Sequence, residues 1–302
     1  WITGKPWDGI DRLADLYATL HTRDDYPVAL KEALLFRWLL SATAAALNST
    51  GFYGRGVLTL QGPQGVGKTS WIRSLISEPM LQENVVLLGH HLDAGNKDSL
   101  VTAVSHWIVE IGELDSSFRK DVARLKGFIT GDRDKVRRPY ARADSEYQRR
   151  TVFCASVNDE NFLVDATGNS RWWTVPVITI DYQHDINMQQ VFAQLAQDLN
   201  AGTQWWLTKD EEALLETQIR HHRAISSIEE MLAAAMDFDL PLEIWLNRSP
   251  VETFQAIGFD RPTNPQCKEC ANFFRTHGWP RKRIQGYYKW LIPLRTERNR
   301  FP

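Results

Sequence analysis

Residues 62–69 read Gly-Pro-Gln-Gly-Val-Gly-Lys-Thr and match G-x-x-x-x-G-K-[ST], the pattern of a phosphate-binding loop. Residues 56–60 before it predict a short buried strand, and residues 70–76 after it predict the start of a helix. In that setting backbone N–H groups surround a polyphosphate, and the helix N-terminus adds positive potential. We expect Lys68 to reach the β- and γ-phosphates of ATP and Thr69 to hold Mg²⁺. The alternative, a glycine-rich turn with a surface lysine, is disfavoured because the flanking strand and helix are both present. The residues predicted to bind nucleotide are Gly62, Pro63, Gln64, Gly65, Val66, Gly67, Lys68, Thr69 and Ser70.

Composition narrows the class of protein. A chain of 302 residues suggests about two domains, or one domain with appendages. The net charge of −2 gives no global field that attracts nucleic acid, so local patches must supply any such contact. Three cysteines, Cys154, Cys267 and Cys270, are too few for a disulfide framework and suit a reducing cytoplasm. No apolar run reaches membrane-spanning length, and no secretory signal opens the chain. Because Trp1 rather than Met comes first, we expect a fragment or a processed chain, from which an upstream domain can be missing.

Strand and helix patterns alternate along the chain. Strands are predicted at 85–89, 107–111, 150–156 and 172–177, and helices at 28–47, 96–106 and 118–129. Such alternation around a phosphate-binding loop favours an α/β fold with a mostly parallel sheet. Residues 185–236 predict acidic helices, and after Pro241 short helices precede a basic, aromatic strand pair.

Polar side chains follow the apolar strands. Glu110 ends one strand and Glu113 lies three residues further on. Nucleotide hydrolysis needs one carboxylate near Mg²⁺ and one that polarises the attacking water, although Glu113 can also simply open the next helix. Asn158 can hydrogen-bond the attacking water or the γ-phosphate, yet Asn-Asp is also a common turn pair. Arg171 is either a surface arginine or a cation that stabilises charge on a neighbouring subunit's nucleotide.

An ordered set of segments adds specificity. The set comprises the loop at 62–69 and then Trp107–Leu114, Leu125–Ile129, Arg138–Arg142, Asn158–Leu163 and Gly168–Trp173. It resembles the virulence-associated E family of phage and genomic-island proteins. That family is similar to superfamily III helicases, ring-forming AAA+ ATPases of viral replication. The match is specific over about residues 50–180 and looser on either side.

The resemblance implies a role for each matching residue. Lys68 and Thr69 match the Walker A pair, and Glu110 and Glu113 match the acidic Walker B positions. Superfamily III proteins usually place those two acids side by side, whereas Ile111-Gly112 separates them here, so the resemblance does not decide which glutamate is catalytic. Asn158 matches the polar sensor residue that follows the next core strand. Arg171 matches the arginine of a G-N-x-R segment, which would act as a finger on a neighbour's nucleotide.

Two stretches are candidates for DNA contact. Basic residues concentrate between Arg119 and Arg150, where a hairpin with its turn at 142–146 is predicted. In superfamily III helicases the corresponding hairpin tracks single-stranded DNA in the ring channel, so Lys135, Arg138 and Arg142 are the candidates there. Inter-subunit ion pairs or a solvated face are the alternative reading of these cations.

The C-terminal segment is basic and aromatic, in the manner of a winged helix. Arg281, Lys282 and Arg283 are candidates for nucleic-acid docking, and Trp290 is expected in the core. The pair Cys267 and Cys270 has no second pair at zinc spacing, so we predict no structural metal.

Together these observations predict a P-loop AAA+ core with a mostly parallel sheet. The expected divisions are a helical N-terminal element (1–50), the ATPase domain (51–182), a helical linker or lid (183–240) and a winged-helix-like domain (241–302). The expected activity is ATP-driven translocation or unwinding of DNA by a ring, a hexamer by resemblance, in the cytoplasm of a bacterial host. A primase-type domain upstream is implied by resemblance alone. One alternative is a DNA-binding ATPase switch, such as an origin initiator or loader. The other is a metabolic P-loop kinase, for which the sequence supplies no acceptor pocket.

Overall fold

The strand before the loop is buried along its whole length in the computed structural model of the chain. This strand, β2 (Val57–Gln61), lies between two parallel neighbours, and parallel strands covered on both faces read as continuous apolar runs. The structure describes residues 1–49, 51–112, 124–125, 127–136, 145–158, 169–219, 227–284 and 286–295. The chain forms two units, residues 1–223 and 224–302, and each is described by itself.

A six-stranded sheet organises the first unit, in the order β1-β8-β2-β7-β4-β3. The five strands from β8 to β3 are parallel, and β1 pairs antiparallel with β8 at the edge. The prediction of a mostly parallel α/β sheet is therefore confirmed. Its strands are β1 (Leu20–Thr22), β2 (Val57–Gln61), β3 (Val86–His90), β4 (Ile108–Ile111), β7 (Val152–Val157) and β8 (Trp172–Ile180).

Helices of this unit include one long segment, α2 (Val28–Leu47), which coincides with the helix predicted at 28–47. Further helices are α1 (Leu13–Ala18), α3 (Lys68–Ser74), α4 (Pro79–Val85), α5 (Lys97–Val104), α6 (Met188–Asn200) and α7 (Lys209–Ile219), and residues 124–125 and 127–129 are also helical. Asn96 caps α5, because its side chain accepts a hydrogen bond from Asp98 N. Thr208 and Glu211 form a reciprocal capping pair at the start of α7.

Residues 1–49 share the core of the sheet. Leu16, Leu20 and Trp38 belong to the same buried cluster as β2, and Trp38 Nε1 donates to the Phe153 carbonyl of β7 at 2.7 Å. The helical pattern expected over residues 1–50 is interrupted by the three-residue strand β1. This strand pairs with β8, and no local sequence pattern predicts that pairing. Arg37 of α2 pairs with Glu211 at 3.0 Å, which ties α7 to the same helix.

A hairpin stands apart from the sheet. It consists of β5 (Arg133–Val136) and β6 (Ser145–Gln148), which pair antiparallel. The predicted hairpin is thus present, although β6 begins within the turn that was predicted at 142–146. Arg149, one residue beyond β6, forms a buried ion pair with Asp134 of β5. Its guanidinium lies 4.6 Å from the centre of the Phe128 ring.

The second unit has its own core. Helices α8 (Ser227–Ala235), α9 (Pro250–Ala256) and α10 (Asn264–Thr276) accompany a three-stranded antiparallel sheet. Its strands are β9 (Leu246–Arg248), β10 (Arg281–Ile284) and β11 (Tyr287–Ile292), in the order β10-β11-β9. Trp290 is 6% exposed and packs on Phe274, as expected for a core residue. Within the residues described in either unit, no helix has both the length and the apolar character to span a bilayer.

Candidate functional site

Three parallel strands bring the predicted site residues to one edge of the sheet. The loop leaves the carboxyl end of β2, Glu110 lies near the end of β4, and Asn158 directly follows β7. Because β2, β7 and β4 are adjacent and run in the same direction, their carboxyl ends meet. This edge of an open parallel sheet is where α/β proteins bind ligands.

Lys68 is the centre of a hydrogen-bond network. Its Nζ donates to the carbonyl oxygens of Gly62 (2.6 Å) and Pro63 (2.8 Å) and to Oδ1 of Asn158 (3.0 Å). Burial lowers the pKa of Lys68 below the value of a free lysine, and the nearby Glu110 carboxylate opposes that shift. The ammonium therefore lies where anionic oxygens can replace neutral carbonyl partners.

Glu110 is a buried carboxylate held by neutral donors. It is 1% exposed, and its Oε1 accepts from the Thr69 hydroxyl at 2.7 Å and from the Ser156 hydroxyl. Its Oε2 accepts from Gly89 N at 3.1 Å. A buried carboxylate with several donors is costly unless a cation or further hydrogen bonds compensate for its desolvation. The position of Glu110 is thus fixed on both oxygens.

A cavity of about 400 Å³ opens beside these groups. We call it the Lys68 cavity, and its lining includes Lys68, Thr69, Glu110, Ser156 and Asn158. Hydroxyl and carboxylate oxygens are the hard ligands that Mg²⁺ prefers, and Mg²⁺ commonly takes one or two protein oxygens together with substrate phosphates and water. The Thr69–Glu110 pair therefore fits a magnesium ion.

Two glycines of the loop are required by close contacts. A Cβ at Gly62 would lie 2.2 Å from the Val177 carbonyl oxygen of β8. Gly67 has φ of +97°, and a Cβ there would lie 2.3 Å from Cδ1 of Tyr182. The helix that follows, α3, has only seven residues, so the loop backbone and Lys68 account for more of the anion-binding character than a long helix dipole would.

Some site residues escaped sequence reasoning. Ser156 lies on β7, two positions before Asn158, which directly follows that strand, so alternation along the chain was an available signal for it. Gly89 reaches Glu110 only because β3 and β4 are neighbours, and Tyr182 lines the cavity from the segment after β8; neither has a local signature. Glu113, the second predicted acid, lies outside the described residues.

Arg171 lies at the amino-terminal end of the parallel strands, whereas the Lys68 cavity lies at their carboxyl-terminal end. It immediately precedes β8, whose first residue, Trp172, pairs with Val57 of β2. Arg171 comes one residue before that pair, so about six residue steps separate its level on β2 from Gly62, a span of about 20 Å along an extended strand. Arg171 lines a separate cavity of about 570 Å³, together with Arg55, Asp132 and Glu212. The structure therefore does not bring Arg171 to the Lys68 cavity of its own chain.

The candidate DNA contacts divide between described and undescribed residues. Lys135 lies in β5, without a description of its side chain, and Arg138 and Arg142 fall outside the described residues. Arg149, counted among the basic residues of this stretch, is 2% exposed and bound to Asp134, so it stabilises the hairpin base rather than offering a surface charge.

In the second unit Arg281, Lys282 and Arg283 are exposed on β10. The Arg281 guanidinium lies 4.3 Å from the centre of the Tyr288 ring, and Arg283 Nε donates to the Gly286 carbonyl at 3.3 Å. Lys289 of the neighbouring strand β11 forms an ion pair with Glu252. The exposed cations of this hairpin are thus concentrated on β10.

A known protein family matches most of the chain. The model of the virulence-associated protein E-like domain matches residues 2–224. The chain belongs to this family. Its membership confirms the resemblance drawn from the ordered segments, and the matched range covers the whole six-stranded sheet and the hairpin.

Solved structures show looser likenesses. One is described as "The A form apo structure of NrS-1 C terminal region-CTR"; it is 16% identical, with a TM-score of 0.48, over 97% of this chain and 78% of that chain. Another, "The apo structure of NrS-1 C terminal region (305-718)", is 15% identical, with a TM-score of 0.41, over 96% and 79% of the two chains. The comparison with curated proteins gave no match.

Proposed function

We propose that the chain is a nucleotide hydrolase that binds ATP and Mg²⁺ at the Lys68 cavity. The observation that carries this proposal is the convergence of Lys68, Thr69, Glu110 and Asn158 around one cavity at the end of three parallel strands. Lys68 and Thr69 follow a strand and a glycine-rich loop and begin a helix, which is the order that a phosphate-binding loop requires. The family resemblance supports an AAA+ type of ATPase.

The hydrogen bonds of Lys68 suggest how phosphate is bound. A phosphate oxygen in the cavity would replace the Gly62 and Pro63 carbonyls as partners of the ammonium, with a stronger hydrogen bond because the acceptor as well as the donor is then charged. Asn158 would then be released from Lys68 and could orient the attacking water. Magnesium bound at Thr69 and Glu110 would neutralise charge on the phosphates.

We further propose that catalysis is shared between protomers of a ring. Arg171 lies about 20 Å from the loop of its own chain by the strand geometry, which is too far for contact with that nucleotide. A neighbouring protomer that presents the Arg171 edge to the Lys68 cavity would complete the site with a cation. A hexamer is the oligomer that the resemblance to superfamily III helicases suggests.

We propose DNA as the macromolecular substrate. The β5–β6 hairpin carries Arg137, Arg138 and Arg142 in the connection between its strands, and the second unit exposes three consecutive cations on β10. Cations in such numbers contact phosphates and release counterions. In view of the family resemblance we propose that this activity serves the replication of a phage or another mobile element, as a helicase or translocase, with the winged-helix-like unit as a second DNA contact.

The decisive experiment compares the wild-type chain with Lys68→Ala. We expect DNA-stimulated ATP turnover by the wild type and none by the variant, because loss of the ammonium removes the main cation of the cavity. Turnover that survives in the variant would place the site elsewhere. Strand displacement on forked DNA, tested at both polarities, then separates a motor from an ATPase switch. Turnover that DNA does not stimulate would instead favour a P-loop kinase.

A further inference from the structure

Tyr182 contributes an aromatic surface to a cavity whose other described lining is polar or glycine. It lies two residues beyond the end of β8 and is 39% exposed. Among the described residues that line the Lys68 cavity it supplies the aromatic ring, and the remainder supply a lysine, a carboxylate, hydroxyls, amides and backbone. A nucleoside triphosphate presents a polyanion and a flat heterocycle. The polar lining suits the polyanion, and among the described residues of the lining this ring is the aromatic partner available to the heterocycle.

The segment that carries Tyr182 is fixed on both sides. Asp181 N donates to the Thr19 carbonyl at 2.9 Å, which extends the pairing of β8 with β1. His184 Nε2 lies 3.1 Å from the Ser74 hydroxyl at the end of α3. Burial lowers the pKa of His184, with the carboxylates of Asp181 and Asp185 opposing the shift. Tyr182 is therefore held between two anchors and is preorganised for a ligand.

Its ring lies directly against the phosphate-binding loop. A Cβ at Gly67 would approach ring atoms Cδ1 and Cε1 to 2.3 and 2.8 Å, so the ring occupies the space that any side chain at position 67 would need. Gly67 precedes Lys68, whose ammonium is the predicted phosphate ligand. A nucleotide whose phosphates occupy the loop would thus have an aromatic surface next to it.

We propose that Tyr182 is the stacking surface for the base of the bound nucleotide. This inference rests on the proposed nucleotide site and specifies how that site recognises the base. Stacking on an aromatic ring tolerates different bases, because each base has a π-face. The proposal therefore implies discrimination by stacking strength, with purine nucleotides bound more tightly than pyrimidine nucleotides and little distinction between ATP and GTP.

The test compares ATP with inorganic tripolyphosphate, which lacks a base, by calorimetric titration in the presence of Mg²⁺. In Tyr182→Ala we expect ATP affinity to fall roughly five- to a hundredfold, as the loss of one base–aromatic stack would give. Tripolyphosphate affinity should stay unchanged. Tyr182→Phe keeps the ring and should bind ATP as the wild type does. Tyr147→Ala is the matched control, since Tyr147 is 41% exposed and lines a different cavity.

Two results would overturn the inference without touching the nucleotide site. The first is an equal loss of ATP and tripolyphosphate binding in Tyr182→Ala, which would mean that the ring only supports the loop. The second is wild-type ATP affinity in that variant. If the wild-type chain binds neither ligand, the proposed function itself is refuted, and the stacking inference with it.

Discussion

The buried pair of Arg149 and Asp134 allows a quantitative prediction about the hairpin. Arg149 Nε and Nη2 donate to the two carboxylate oxygens of Asp134 at 2.6 and 2.5 Å, and the side chains are 2% and 9% exposed. Nη1 also donates to the Phe128 carbonyl at 3.1 Å. Arg149→Met keeps most of the volume of the side chain but leaves the Asp134 carboxylate buried without its cation.

Breaking a buried pair by removing one partner costs about 3–5 kcal/mol. For a unit of the size of residues 1–223, each kcal/mol corresponds to about 2–4 °C in melting temperature, so we expect a decrease of roughly 6–20 °C. Arg149→Met combined with Asp134→Leu removes both charges. Because neither charge is then buried, their desolvation cost is removed. The free energy of unfolding of the double variant should therefore lie within about 2 kcal/mol of the wild-type value.

Thermal unfolding followed by calorimetry measures these changes. The same hairpin supplies a control, since Arg133 and Glu146 form an ion pair at 3.6 Å with side chains 57% and 45% exposed. Arg133→Met should cost no more than about 1 kcal/mol, as exposed pairs do. The reasoning fails if Arg149→Met and Arg133→Met lower the melting temperature equally. It also fails if the double variant is as unstable as Arg149→Met alone.

Three further predictions concern the proposed activity. Arg171→Ala should bind ATP but not hydrolyse it, and a small fraction mixed into wild-type protein should inhibit turnover of the whole, measured by phosphate release. Arg142→Ala should weaken binding to single-stranded DNA and reduce the slope of log affinity against log salt by about 0.7, the value of one lost phosphate contact. Since burial lowers the pKa of Lys68 below 10.5 and bound phosphate would raise it, ATP affinity should fall as pH rises through the lowered pKa. Lys68→Arg, which stays charged, should flatten that pH profile wherever it still binds ATP.

Each of these has a result that contradicts it. Normal hydrolysis by Arg171→Ala alone would remove the role of a neighbour's cation. An unchanged salt slope in Arg142→Ala would assign that arginine to structure. An equally steep alkaline loss of affinity in wild type and Lys68→Arg would mean that another group titrates.

The sequence predicted the loop and its partners for a physical reason. Glu110 and Asn158 each occur at or just after an apolar run, and parallel strands deliver such positions to one edge. What it could not predict depends on pairing between distant segments. β1 exists because it pairs with β8, and Gly89 meets Glu110 because β3 lies beside β4. Arg149 carries the same charge as its surface neighbours, and only the partner 15 residues away shows that it is buried.

The three hydrogen bonds of Lys68 have a consequence for selectivity among anions. Because its ammonium is hydrogen-bonded to two carbonyl oxygens and an amide oxygen, an anion that binds Lys68 must exchange with those partners. A single small anion gains little by displacing them, since each hydrogen bond of the charged ammonium contributes about 1.5–3 kcal/mol that must be matched. A chain of linked phosphates makes many contacts at once, and together these contacts make the exchange of partners favourable. If the loop binds a nucleotide as proposed, we expect chloride and free phosphate to compete poorly with it.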